Sequence, residues 1–143
     1  MKTCFILFGP PCSGKSYYIH TNKIENKTVS FDKIRHENPD LHSALLYERF
    51  YQELSHRLSQ DTEDIYVDMV LHKPFQLKIL KNICNKNNYN IKLIDIGKNV
   101  NLDTLIQRNA KRHNIKLSEK DLKNYFNKYL NLRKEKEFYE IIS

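Results

Sequence analysis

The stretch Gly9-Pro10-Pro11-Cys12-Ser13-Gly14-Lys15-Ser16 decides how this chain is read. It fits G-x-x-x-x-G-K-S/T at every fixed position, and its flanks suit that pattern. The apolar run Thr3 to Phe8 (TCFILF) reads as a buried strand ending at Gly9. Ser13 to about Asn22 reads as a helix packing through Tyr17, Tyr18 and Ile19. Gly9 and Gly14 let the backbone curl until its N–H groups, those of Cys12 and Ser13 among them, point inward at phosphate oxygens. The helix N-terminus adds partial positive charge. Lys15 can reach the outer phosphates of a nucleoside triphosphate, and the Ser16 hydroxyl can ligate Mg²⁺. Only three glycines occur in the chain and two stand in this loop, so a chance match explains it poorly. The stretch is a phosphate-binding loop, or P-loop.

Around it the pattern alternates. Lys27 to Phe31 (KTVSF) is β-branched and bounded by polar residues, a second strand. Asn38-Pro39 reads as an N-cap with proline at the first helical position. From there Leu41, Ala44, Leu45, Tyr47, Tyr51, Leu54 and Leu58 recur at helical intervals, about five turns. Asp64 to Val70 (DIYVDMV) is a third strand, and Pro74 opens a helix that buries Phe75, Ile79, Leu80 and Ile83. Asn85 to Asn90 is a loop, and Asn90 to Ile96 (NIKLIDI) is a fourth strand stopped by Gly97. One further helix carries Leu102, Leu105, Ile106 and Ala110. Another starts on the capping pattern Ser118-Glu119-Lys120-Asp121 and buries Leu122, Tyr125, Phe126, Tyr129 and Leu130. Strands alternating with helices predict an α/β fold, a parallel sheet of four or five strands flanked by helices. Residues 1–143 read as a single domain, with 97–117 a mobile helical lid within it.

Composition narrows the classes. With 40% hydrophobic and 29% charged residues, the chain is too apolar for a disordered segment. No apolar run approaches the roughly 20 residues of a membrane helix. Cys4 to Phe8 is too short for the core of a signal peptide, so a cytoplasmic location is expected. Cys4, Cys12 and Cys84 form no CxxC pair and read as reduced thiols, and the six histidines show no metal-ligand spacing. The net charge of +7 is uneven, because residues 98–143 hold eleven basic and six acidic side chains. A basic field there attracts the phosphates of a nucleotide or a nucleic acid, although a solvated helix face explains the same charge.

The remaining question is which P-loop chemistry the chain carries. Asn22-Lys23-Ile24-Glu25 and Asn26-Lys27-Thr28-Val29 are the nearest approaches to a guanine-reading NKxD, and both lack the aspartate. In Ser30-Phe31-Asp32-Lys33-Ile34-Arg35, Asp32 stands at the carboxyl end of a parallel strand, where open α/β sheets bind ligands. A carboxylate there can accept the proton of an attacking hydroxyl. Arg35, three residues on, can clamp an acceptor phosphate, although a surface ion pair with Asp32 is the plainer alternative. Asp68 ends the third strand as the second half of a Mg²⁺ site beside Ser16, or else as a strand-end cap. Arg108 and Arg112 are four apart, which on a helix places both on one face, suited to a lid over ATP.

Read together, GPPCSGKS, SFDKIR, YVDMVL and LIQRNAKR resemble the kinase domain of phage-type polynucleotide 5′-kinases, over essentially the whole chain. That resemblance implies transfer of the ATP γ-phosphate to the 5′-hydroxyl end of DNA or RNA, with Mg²⁺ as cofactor, in nucleic acid repair. It implies that Lys15 and Ser16 hold phosphates and metal and that Asp32 is the general base. It also implies that Arg35 grips the 3′-phosphate of the acceptor nucleotide, and that Arg108 and Arg112 act on ATP. The chain departs from the pattern in following Asp68 with Met69 and Val70 and in placing Phe31 before the base. Zeta-toxin-like and metabolite kinases share similar blocks and stand as the alternative, with a nucleotide-binding switch module behind them.

Overall fold

The computed structural model describes residues 2–113 and 116–143. Four strands, β1 (Thr3–Phe8), β2 (Thr28–Ser30), β3 (Ile65–Asp68) and β4 (Asn90–Asp95), form one parallel sheet in the order β2-β3-β1-β4. The chain leaves β1, passes over β3 to build the β2 edge, returns through β3, and then crosses to the far side of β1. The reversal of direction lies between β1 and β3. Loops leaving their carboxyl ends therefore part and open a crevice. A fifth strand reduces to one parallel bridge, Leu93 to Ile142, on the free edge of β4, where Leu93 N–H donates to Ile141 O at 2.8 Å.

Alternation along the strands feeds two cores. Cys4, Ile6 and Phe8 join Val67 and Leu93 on the face covered by α3 (Ser43–Gln60), α4 (Pro74–Lys86), α6 (Glu119–Arg133) and α7 (Lys136–Tyr139). Leu7 points the other way, onto Ile19 of α1 (Lys15–Thr21) and Ile24. Leu46, Phe50, Leu54 and Leu58 of α3 are all buried at four-residue spacing, an apolar stripe of the kind that fixes an amphipathic helix.

Several boundaries differ from the sequence reading. The second strand ends at Ser30, whose hydroxyl accepts from Lys33 N–H and so N-caps an unforeseen helix, α2 (Phe31–Glu37). Asn38 ends that helix rather than starting the next. Its amide donates to Ile34 O at 2.8 Å, and a residue before proline resists the helical region. The long helix accordingly begins at Ser43. On α4, Phe75 is 54% exposed, and the buried face is Gln76, Leu77, Leu80 and Cys84. Gln76 turns inward because its side-chain oxygen accepts from the N–H groups of His72 and Lys73, two donors that the helix start leaves orphaned. The third strand stops at Asp68, and the fourth helix runs on through Lys86. Leu130 is exposed where Leu132 is buried, and Ala110 is exposed where Asn109 is buried. All three cysteines are free thiols.

Helix α6 is tied to the end of β4 by a buried polar cluster. Tyr129 O–H donates to Asp95, and Arg133 Nε lies 2.8 Å from the other carboxylate oxygen. Burial first, and then Asp95 itself, pushes the Tyr129 phenol well above its ordinary pKa, so it stays a donor. Gly97 lies against this ring: a Cβ there would stand 2.7 Å from Tyr129 Cζ and 3.0 Å from Pro10 Cδ. Gly97→Ala should therefore cost about 1–3 kcal/mol by overpacking and lower Tm by roughly 3–10 °C. A melting curve at the wild-type Tm would show that the ring gives way freely.

Candidate active site

Sheet register gathers the site. Asp68 is paired with Leu7 on one side and Ser30 on the other, so the ends of β1, β2 and β3 lie level. The loop after β1 leads into Lys15 at the start of α1, α2 carries Asp32 in its first turn, and β3 ends in Asp68. These residues line a single cleft of about 390 Å³ together with Ser16, Arg35, Arg108 and Arg112. A volume of that size suits a small-molecule site.

The loop has the backbone that its glycines and sequence call for. Cys12 (φ 68°) and Gly14 (φ 112°) both take left-handed angles on either side of Ser13, a turn that directs successive N–H groups to one centre. Gly9 cannot carry a side chain, because a Cβ would stand 2.5 Å from Ser13 Oγ. Ser13 is itself buried, and its hydroxyl has no hydrogen-bond partner among the described residues. Lys15 is buried too. Its Nζ donates to the carbonyl oxygens of Gly9 and Pro10 at 3.0 Å each, bracing the loop from beneath. Burial lowers its pKa, opposed by the negative charges of Asp68 and then Asp32. Asp68 shows the converse: burial raises its pKa, Lys15 pulls it down, and Asp32 adds to the rise. The Asp68 carboxylate and the exposed Ser16 hydroxyl line the same cleft, two hard oxygen donors. That pair fits Mg²⁺, which takes one or two carboxylates and completes its shell with water and substrate phosphate.

Asp32 and Arg35 form an i,i+3 ion pair, with side chains 68% and 56% exposed. The guanidinium also lies 5.7 Å from the Phe31 ring centroid. The pairing is the plainer of the two sequence readings, yet it sits at the mouth of the cleft, within reach of an incoming group.

Arg108 and Arg112 meet the P-loop by a different route from the one their spacing predicts. Helix α5 (Leu102–Ala110) ends before Arg112, so they do not share a helix face. They converge on one residue nonetheless: Arg108 Nη1 donates to Cys12 O at 3.1 Å, and Arg112 Nη1 lies 3.6 Å from Cys12 Sγ. Asn109 makes this possible and was missed by the sequence reading. Its side chain donates to Leu117 O at 2.6 Å and accepts from Leu117 N–H at 3.0 Å, closing the turn that carries Arg112. Its polarity within an apolar stripe was the available signal. Residues 114 and 115 of the expected lid lie outside the described residues.

No family model matches the chain, and no curated protein matches it in sequence. Solved structures do match. A chain from the Pnkp1/Rnl/Hen1 RNA repair complex superposes with a TM-score of 0.70 at 17% identity, over 92% of this chain and 45% of that one. This chain thus spans less than half of that relative's length. The Deinococcus radiodurans tunicamycin resistance protein gives a TM-score of 0.57 at 11% identity, covering 96% of this chain and 83% of that chain. A cysteine-to-alanine mutant of Mycobacterium tuberculosis APS kinase CysC gives 0.50 at 15% identity, over 94% and 100% of the two chains. At these identities the likenesses establish the fold, an α/β P-loop kinase fold. Among the described residues, no helix is long and apolar enough to cross a membrane.

Proposed function

We propose that this chain is an ATP-dependent phosphotransferase that moves the γ-phosphate of ATP to the 5′-hydroxyl end of DNA or RNA. The observation that carries the proposal is the meeting of Lys15, Asp32, Asp68, Arg108 and Arg112 in one cleft at the carboxyl ends of three parallel strands. A module that only senses nucleotide has no need of a carboxylate base opposite the loop.

In this reading the P-loop N–H groups and Lys15 hold the phosphates, and the acceptor hydroxyl approaches from the side of α2. Asp32 Oδ accepts the hydroxyl proton as the acceptor oxygen bonds to the γ-phosphorus and the bond from that phosphorus to the β,γ-bridging oxygen breaks, with ADP leaving. Arg35, resting on Asp32, swings to the phosphate on the acceptor's 3′ side, which frees the carboxylate to act. Arg108 and Arg112 supply positive charge over the transferring group from the lid segment, 97–117. Ser16 and Asp68 would hold Mg²⁺, which neutralises phosphate charge when bound. Throughout, the residues position charge and move one proton.

The direct test is incubation with γ-labelled ATP, Mg²⁺ and a 5′-hydroxyl oligonucleotide. Label at the 5′ end is expected, and a nucleoside 3′-monophosphate should be a better acceptor than the bare nucleoside. Absence of label on any 5′-hydroxyl nucleic acid, with ATP consumed on small hydroxyl compounds, would move the chain to the metabolite kinases. Asn109→Ala should slow transfer by roughly 10–10²-fold through misplacement of Arg112, with ATP affinity held within a few-fold. A wild-type single-turnover rate in that variant would show that the turn holds Arg112 unaided.

A further inference from the structure

Beyond Asp32 and Arg35 the cleft continues, and its walls change character. Phe31, Tyr47, His72 and Tyr125 line it, each half-buried, in contrast to the wholly buried rings of Phe8, Phe50 and Phe138. Phe31 and Tyr47 pack at 4.5 Å between centroids, and His72 meets Tyr125 edge-on at 5.7 Å. Tyr47 and Tyr125 line the same cleft as Phe31 and His72, so the two pairs belong to one wall. Cations border it at intervals. Arg35 lies over Phe31, and Lys128 Nζ stands 5.9 Å from the Tyr125 centroid. Lys73 Nζ stands 5.9 Å from the Phe75 ring, the large hydrophobic that α4 leaves exposed. Lys128 thus stands beside a ring of the wall, and Lys73 directly follows His72 in the chain. Among the described residues neither lysine is held in an ion pair.

A core does not need half-open rings bordered by cations. A single nucleic acid strand does, because its bases stack on aromatic faces while its phosphates follow the positive charges. We propose that Tyr47, His72 and Tyr125 stack the terminal base of the acceptor and that Lys73 and Lys128 contact phosphates downstream, so that the preferred acceptor is an unpaired strand several nucleotides long. This rests on the reading of the cleft as a 5′-hydroxyl kinase site and adds to it a strand requirement and a length requirement. A paired end cannot rotate its base onto the wall, and a mononucleotide has nothing to offer the lysines.

The test measures steady-state transfer from ATP to four acceptors: a single-stranded octanucleotide, the same strand abasic at its 5′ residue, a blunt duplex, and a nucleoside 3′-monophosphate. For the octanucleotide, Tyr125→Ala should raise the acceptor KM roughly 5- to 150-fold, the worth of one stacked base, and Tyr125→Phe should restore it. On the abasic strand, Tyr125→Ala should have no further effect. The paired change Lys73→Ala with Lys128→Ala should reduce the salt slope of octanucleotide affinity by about 1.4, two single-strand phosphate contacts, and leave the slope for the mononucleotide alone. Equal KM values for octanucleotide, blunt duplex and mononucleotide, or a Tyr125→Ala enzyme with wild-type KM, would overturn the proposal while leaving the kinase reading intact. Failure of the wild-type protein to phosphorylate any of the four would overturn both.

Discussion

Lys15→Ala is expected to cut turnover by about 10³-fold or more, because it removes the cation set beneath the loop that holds the transferring group. The harder question is whether such a loss reports chemistry or a collapsed loop, since Lys15 Nζ also braces the carbonyls of Gly9 and Pro10 at 3.0 Å. Lys15→Met separates the two. Burial depresses the Lys15 pKa in the folded chain, and a lysine shifted in that direction costs stability at neutral pH. The unfolded chain binds the proton more tightly there, and the cost fades only as pH rises from the folded pKa toward the ordinary lysine value. Methionine removes that cost, keeps most of the volume, and gives up two hydrogen bonds. Its Tm should therefore equal or exceed that of the wild-type protein while its turnover falls as far as that of Lys15→Ala. Stability spent at a functional site is recovered in this way when function is removed. Near wild-type turnover in either variant would end the reading of this cleft as a kinase site. A Lys15→Met protein that is inactive and also melts early would assign Lys15 to holding the loop together.

Much of the fold was legible because its cues are local and strong. TCFILF before a glycine-rich turn, NIKLIDI before Gly97, and Ser118 capping Asp121 all stand where their chemistry puts them. The misreadings occur where one short signal competes with another. Asn38-Pro39 carries the marks of a helix start, but Ser30 eight residues earlier was already a cap, and the helix it opens ends at the proline boundary. Phe75 reads as a core residue by type. The phase of α4 is instead set by Gln76, whose inward turn satisfies two backbone donors. The site divides in the same way. The P-loop, Asp32 and Asp68 sit at strand ends, so a sequence that locates the strands also brings them together. The placement of Arg108 and Arg112 does not follow from spacing. Arg108 and Arg112 reach Cys12 from opposite sides of a helix end, through a turn closed by Asn109. The aromatic wall was harder still, because Tyr47 and Tyr125 keep helical intervals with core residues. Periodicity says that they face inward, but not that the space they face is open.

Asp32→Asn should lower the chemical step by roughly 10²–10⁴-fold, since the amide keeps the shape of the side chain but cannot take a proton. Two side effects of the change have to be told apart from that loss. The first is on nucleotide: Asp32 is one of two carboxylates that support the charge on Lys15, but Asp68 is the stronger, so ATP affinity by calorimetry should stay within a few-fold of wild type. The second is on Arg35, which loses its carboxylate partner and is released toward the acceptor. Acceptor affinity should then hold or improve while the single-turnover rate collapses. Arg35→Ala predicts the opposite split, a weakened acceptor with a smaller loss in the rate of the bound complex. Combining the two substitutions tests the coupling directly. If Asp32 is the base and Arg35 the clamp, the double variant shows the rate of the first and the acceptor KM of the second. If the pair is only a surface ion pair, both single variants transfer phosphate at wild-type rates. Should ATP affinity collapse in Asp32→Asn while the rate per bound complex survives, Asp32 supports the loop rather than the reaction. The proton must then leave by another group in the cleft, and Asp68 is the remaining carboxylate placed to receive it.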